Sequence, residues 1–138
     1  MKLAGIALIA AAFSGVRADC KTDDSAASWP LNVEYLEELV ARLCMYRLGG
    51  GFDKGDIKFA CEPIAGKTKL ERMTWAIFQV TYNGDDPYGR VSPAECSTML
   101  TREVTGCEHG GHTSLRGWEY RAMPQHTDCS NEVGGTPS

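Results

Sequence analysis

The stretch VSPAECSTMLTREVTGC, residues 91 to 107, predicts its own structure more clearly than any other part of the chain. Ser92 can cap a helix, Pro93 suits the first helical position, and Glu95 can reach back to complete a capping box. Gly106 can end the helix. The residues between these signals repeat at helical spacing and give one apolar face, made of Cys96, Met99, Leu100, Val104 and Cys107.

A strand is expected after the glycine- and histidine-rich loop that follows this helix. The segment LRGWEYRAM, residues 115 to 123, alternates in character from one residue to the next. Because successive side chains of a strand point to opposite faces, Glu119 and Arg121 would share one face with Gly117. The other face would carry Arg116, Trp118, Tyr120 and Ala122.

The first half of the chain predicts a second helix. Asn32 can cap it, and three consecutive glycines, Gly49 to Gly51, end it. Its apolar stripe consists of Val33, Leu36, Leu39, Val40, Leu43 and Cys44.

Two strands are predicted between the helices. Residues 57–61 alternate, with Ile57, Phe59 and Cys61 inward, and residues 74–82 begin with apolar side chains on both faces, which indicates a central strand. Before the first helix, residues 19–28 form an irregular arm that could add an edge strand near Ser28 and Trp29.

These elements predict an α+β fold of the order β-α-β-β-α-β. Two helices would pack on one face of an antiparallel sheet of three or four strands, in the split β-α-β, ferredoxin-like arrangement. Without the first strand the protein would be an αββαβ two-layer sandwich. Since the helices would run antiparallel, Cys44 at the end of the first would lie near Cys96 at the start of the second, and we expect these two to form a disulfide.

The first 18 residues have the features of a secretory signal peptide. Lys2 precedes an apolar run of eleven residues, Leu3 to Phe13, and small residues follow around Ala18. The run is too short to cross roughly 30 Å of hydrocarbon. We therefore expect residues 19–130 to form one exported domain without a membrane anchor, followed by a disordered tail over residues 131–138.

Charge and cysteine content narrow the class of protein. Without Lys2 and Arg17, 12 of the 14 basic residues remain against 18 acidic ones, a formal charge of −6, which argues against nucleic acid or an anionic membrane as partner. An even number of cysteines in an exported chain predicts three disulfides, although sequence alone leaves their pairing open. The six are Cys20, Cys44, Cys61, Cys96, Cys107 and Cys129.

The sequence offers residues for two kinds of chemical site. Cys107, His109 and His112 could bind zinc, but an oxidised Cys107 would be lost as a ligand, so we expect no metal and no cofactor. A small ribonuclease would need a base, an acid and a cation around a phosphate, which Glu119 and Arg121 could supply together with His109, His112 or His126. Alternating charges on a strand are also what any solvated sheet face carries.

A binding surface is expected on the sheet face opposite the helices. Trp75 and Ile77 would emerge there near Glu119 and Arg121, and exposed tryptophan flanked by charge is typical of a binding hot spot. The alternative is that the N-terminal arm or the Gly110–Gly111 loop covers Trp75.

The chain resembles fungal secreted cysteine-rich proteins of the effector and killer-toxin-like α/β-sandwich kind, including the group homologous to the Ecp2 effector. The resemblance extends in layout from Cys20 to Cys129 and in wording over residues 91–120: the capped helix, Gly106-Cys107 and the aromatic strand Gly117-Trp118-Glu119-Tyr120. It implies an extracellular protein that binds a host or competitor component, with no cofactor and no catalytic residue. We expect a monomer whose partner is a protein or a glycan. A small secreted hydrolase is the alternative.

Overall fold

The computed structural model describes residues 19–22, 27–29, 33–64, 74–126 and 129. The predicted signal peptide, the Asn32 cap and the predicted tail over residues 131–138 lie outside this part of the chain. The described elements are β1 (Asp19–Cys20), α1 (Val33–Leu43), a π-helical turn (Cys44–Leu48), β2 (Gly50–Asp53), β3 (Ile57–Ile64), β4 (Thr74–Tyr82), β5 (Tyr88–Val91), α2 (Pro93–Gly106), β6 (Gly111–Leu115) and β7 (Trp118–Gln125).

Helix α2 begins and ends where the sequence predicts. The Ser92 hydroxyl accepts a hydrogen bond from the Glu95 backbone N–H at 3.1 Å, and Pro93 is the first helical residue. Its buried face contains the predicted Cys96, Met99, Leu100 and Val104, together with Glu103, which the apolar pattern does not include.

Helix α1 continues into a π-helical turn, which changes the face that the chain presents. The Gly49 N–H donates to the Cys44 carbonyl at 3.0 Å, and a side chain at Gly49 would collide with the same carbonyl oxygen at 2.4 Å. Cys44 and Leu48 are buried on either side of the turn, while Met45 and Tyr46 face solvent. The three-glycine segment ends the helical region, as predicted.

The predicted α+β class is confirmed, with a larger sheet than expected. Five strands form one sheet in the order β1-β6-β7-β4-β3, and β2 pairs with β5 in a second sheet of two strands. All pairs are antiparallel. Strand β4 is central, as predicted, because it pairs with β3 on one side and β7 on the other.

The strand order is not that of a split β-α-β sheet. That arrangement would place the first strand between β4 and β7, but these two strands pair directly, with Phe78 opposite Ala122. The first strand instead lies at the edge beside β6, with Asp19 opposite His112. It lies at Asp19–Cys20, so the predicted position near Ser28 and Trp29 is wrong.

Strand β6 replaces the loop that the sequence predicts after α2. Arg116 and Gly117 have φ angles of 51° and 86°, the positive values of a two-residue hairpin turn that joins β6 to β7. A Cβ at Gly117 would lie 2.4 Å from the Gly84 Cα, so the turn also needs glycine for space. The hairpin adds a strand and moves the N-terminal strand outward.

The main core lies between the helices and one face of the five-stranded sheet. The β-strand side of this core includes Ala60, Ala76, Phe78, Val80, Tyr120 and Ala122. The prediction that Ile57, Phe59 and Cys61 face inward is therefore wrong: Phe59 and Cys61 belong to a smaller cluster on the opposite face, and Ile57 is exposed.

Three disulfides cross-link the described part of the chain. They are Cys20–Cys107, Cys44–Cys96 and Cys61–Cys129. The predicted Cys44–Cys96 pair is confirmed, with a Cα–Cα distance of 5.7 Å.

Candidate functional site

The face of the sheet opposite the helices, here called the outer face, carries the sequence-predicted site residues. Strand register places Gln79, Arg121, His112 and Asp19 opposite one another across β4, β7, β6 and β1. Directly opposite residues share a face, so these four side chains form one polar row. Glu119 lies two residues from Arg121 on the same strand and therefore on the same face.

Ile77 does not emerge on the surface, contrary to the sequence prediction. It is 1% exposed and packs with Phe59 and Cys129, and the half-buried Trp75 packs against the same cluster. The cause is the Cys61–Cys129 disulfide, which brings Cys129 onto the outer face over Ile77. Neither cover considered from sequence, the N-terminal arm or the Gly110–Gly111 loop, is part of this cluster.

Glu119 and Arg121 line an open groove on the outer face, with a volume of about 430 Å³. We call it the outer groove. It lies across β1, β6 and β7. Its walls are Asp19, Cys20, Lys21, Gly111, His112, Glu119, Arg121 and Met123. The Cys20–Cys107 disulfide holds β1 beside the end of α2, so one wall of the groove is covalently attached to the helix.

The outer groove contains cationic and anionic side chains at separate positions. His112 Nε2 lies 3.6 Å from Asp19 Oδ2, and Arg121 Nε donates to Met123 Sδ at 3.0 Å. Within the described part of the chain, neither Arg121 nor Lys21 forms an ion pair with a carboxylate. Two cationic groups are therefore available to an incoming anion, and Glu119 is available to an incoming cation or proton donor.

Only one of the three histidines considered from sequence lies in this groove. His109 turns away: its Nδ1 lies 3.1 Å from the Ala27 carbonyl oxygen and 3.3 Å from the Ser28 hydroxyl. His126 is exposed after the end of β7 and does not line the groove. His112 is thus the histidine that the fold brings to Glu119 and Arg121.

The proposed zinc site has no thiolate ligand, because its cysteine is oxidised. Cys107 is joined to Cys20, and a disulfide sulfur cannot act as a thiolate ligand. No group of three His, Cys, Asp or Glu side chains suited to a metal ion occurs within the ranges that the structure describes.

Glu103, which the sequence analysis did not single out, is fully buried under the groove's edge. It lies on α2 and receives a hydrogen bond from the Thr113 hydroxyl of β6, while its second carboxylate oxygen has no hydrogen-bond partner among the described residues. Burial raises the pKa of Glu103, and the Thr113 hydrogen bond opposes that rise. Its helical spacing from Met99 and Leu100 was the available signal, because i+4 and i+3 positions share a face.

Comparison of the chain with protein-family models, with curated proteins and with solved structures gives no match. Neither of the described helices is long and apolar enough to span a bilayer.

Proposed function

We propose that the protein is exported and acts by binding a protein of a host or competitor, with the outer groove as its contact surface. Export is supported by the apolar segment that begins at Leu3 and by six cysteines paired in three disulfides, which persist in oxidising compartments. The effector-like and toxin-like character rests on the resemblance over residues 91–120. The binding role rests on the groove.

The availability of Arg121 and Lys21 carries the proposal. Both cations line an open groove, and neither is neutralised by a carboxylate in the described part of the chain. An unpaired guanidinium is well suited to a carboxylate, which it can bind through two parallel hydrogen bonds. The groove also presents Glu119 and Asp19, so a polyanionic glycan would meet repulsion. A protein surface with charges of both signs complements it better.

Charge reversal at the groove tests this function. The unmodified chain is used as bait in the extracellular fluid where the protein accumulates. Each captured protein is then purified, and its affinity for the unmodified chain and for the R121E and K21E chains is measured by calorimetry. R90E, an exposed charge reversal on β5 outside the groove, is the matched control. We expect R121E to weaken binding at least about tenfold, the usual size of a lost charge-assisted hydrogen bond, and R90E to leave it unchanged. Equal affinity of the R121E and R90E chains would refute the role of the groove.

A second candidate function, cleavage of RNA, is favoured by the pairing of Asp19 with His112 beside Glu119. Arg121 stands opposite His112 on β6, and Glu119 stands opposite Ser114, so Glu119 and His112 are diagonal neighbours. Diagonal residues lie about 7–8 Å apart, which leaves space for a phosphate between them. Asp19 can orient the imidazole, since His112 Nε2 lies 3.6 Å from Asp19 Oδ2.

The chemistry would follow the general acid–base route. Glu119 accepts the proton of a ribose 2′-hydroxyl as its oxygen attacks the neighbouring phosphorus, and Arg121 stabilises the phosphate charge. The bond from phosphorus to the 5′-oxygen breaks, and protonated His112 supplies the proton to that leaving oxygen. The products are a 2′,3′-cyclic phosphate and a free 5′-hydroxyl.

An RNA cleavage assay separates the two functions. If the groove is catalytic, E119Q and H112Q each lower the rate of cyclic-phosphate formation by about a hundredfold or more, while H126Q does not. If the groove only binds, the unmodified protein forms no cyclic phosphate above the rate of the E119Q chain, and capture of the protein partner depends on Arg121.

A further inference from the structure

A second cleft lies at the other edge of the sheet, between α1 and β3. It has a volume of about 390 Å³, and we call it the α1–β3 cleft. Its floor is apolar, formed by the buried Leu39 and Leu43. Its remaining walls come from α1, the π-helical turn and β3: Tyr35, Arg42, Tyr46, Arg47, Glu62 and Pro63.

Strand β3 is a free edge of the sheet in the part of the chain that the structure describes. It pairs only with β4, whereas the opposite edge, β1, has just two residues. The Phe59 carbonyl points away from β4, since it accepts a hydrogen bond from Arg47 Nη2 at 3.3 Å. Alternate residues of an antiparallel strand present their backbone groups to the same side, so Cys61 offers its N–H and C=O along this edge.

Two features protect the free edge of β3 against pairing, but only weakly. Pro63 supplies no N–H and limits any added strand to the residues before it, which is a common way to protect an edge. Arg47 also binds Glu62, at 3.6 Å, but the two side chains are 50% and 31% exposed. An ion pair with this exposure contributes at most about 1 kcal/mol, so Arg47 can exchange Glu62 for another carboxylate at little cost.

The charged side chains around the α1–β3 cleft favour an acidic ligand. Arg42 and Arg47 outnumber Glu62 among the charged walls of the cleft, on a chain whose formal charge is −4. Among the described residues, Arg42 forms no ion pair. The rim is aromatic: Tyr35 is 41% and Tyr46 77% exposed. Arginine and tyrosine are enriched at the energetic centres of protein interfaces.

We infer that the α1–β3 cleft binds an extended acidic segment of a partner protein by adding it as a strand to β3. The segment's backbone pairs with the Phe59 and Cys61 edge, its alternate side chains enter the cleft above Leu39 and Leu43, and its carboxylates bind Arg42 and Arg47. This surface lies on the far side of the sheet from the outer groove, so the inference does not depend on the proposed function.

A defined peptide tests the inference. The probe is an octapeptide of alternating valine and glutamate, titrated into the ¹⁵N-labelled full chain and followed by two-dimensional NMR. We expect saturable shifts at the Phe59 and Cys61 amides, slower hydrogen exchange of the Cys61 amide, and loss of binding when every second peptide nitrogen is methylated. An octapeptide of alternating valine and lysine should bind at least about tenfold more weakly.

Variants locate the site and keep the test decisive. R42E and R47E should each weaken binding of the valine–glutamate peptide about tenfold, R47K should weaken it less, and R90E should leave it unchanged, with the spectrum of each variant reporting an intact fold. Four results would overturn the inference. They are equal binding of the lysine peptide, undiminished binding by R47E, shifts confined to the outer groove, and peptide-independent shifts at Cys61 that grow with protein concentration, which would assign the edge to self-association.

Discussion

The Thr113 hydroxyl donates a hydrogen bond to the Glu103 carboxylate within the core between α2 and β6. Glu103 is an ionisable group on the buried face of a helix, and only one of its two carboxylate oxygens has a hydrogen-bond partner in the described structure. The folded protein therefore favours the protonated acid, and its stability depends on pH.

Glu103 should make the protein less stable at neutral than at acid pH. Burial raises its pKa in the folded state above the ordinary value of a glutamate, so the buried group does not destabilise the fold below that ordinary value, where it is neutral in both states. As pH rises from about 4.5 through the raised folded pKa, the unfolded state ionises first and the fold loses stability. Urea unfolding of the unmodified chain and of E103Q should show E103Q gaining relative stability across this window.

An exposed carboxylate on α1 provides the control for that series. E37Q removes a charge without removing a buried acid, so its stability difference from the unmodified chain should change little over the same pH range. A difference for E103Q that stayed constant between pH 4 and pH 8 would show that Glu103 does not titrate in the fold.

The Ser92 cap should contribute about 1 kcal/mol to stability. Its hydroxyl accepts from the Glu95 N–H, and loss of such a cap typically costs about that amount. S92A should lower the urea midpoint accordingly, whereas S97A, inside the same helix, should be neutral or slightly stabilising because alanine has the higher helix propensity. Equal effects of the two variants would contradict the role of the cap.

The Cys44–Cys96 disulfide should be worth about 4 kcal/mol. The two cysteines are 52 residues apart in sequence, and closing a loop of this length restricts the unfolded chain by roughly that free energy in the chain-entropy view. The double variant C44A/C96A should unfold at a much lower urea concentration. A midpoint within experimental error of the unmodified protein would show that the two helices hold together without the bond.

Tyr120 should ionise only at high pH. Burial, with a smaller contribution from Glu95, raises its pKa to about 12. The fold therefore loses stability as pH rises from about 10, where an unfolded tyrosine ionises, through about 12. Ultraviolet titration of Y120F should lack the phase seen in this range for the unmodified chain; an unchanged titration curve would contradict the assignment.

Local signals explain which parts of the fold were predictable. Ser92, Pro93 and Gly106 define α2 within one stretch of sequence, and the spacing of Leu36, Leu39 and Val40 does the same for α1. Residues 74–82 predicted a central strand because both of their faces must be buried. Each of these features depends on neighbours along the chain.

The sheet order and the site depend on contacts between distant residues. Nothing near Asp19 indicates that it pairs with His112, and the Arg116–Gly117 turn is a weaker hairpin signal than Asn-Gly or Asp-Gly. The burial of Ile77 could not be predicted from sequence, because it depends on which cysteine pairs with Cys61. Glu119 and Arg121 were placed correctly on one face, but the choice of His112 as their neighbour needed the register of β6.

The measurement that tests the outer groove most directly is an NMR titration of the ¹⁵N-labelled chain with acetate, a minimal carboxylate, in the unmodified protein and in R121Q. We expect saturable shifts at the Arg121 side-chain Nε–H and at the Lys21 and His112 amides, and their absence in R121Q. Identical shifts in both proteins, or shifts confined to Arg42 and Arg47, would contradict the role of Arg121 in the outer groove.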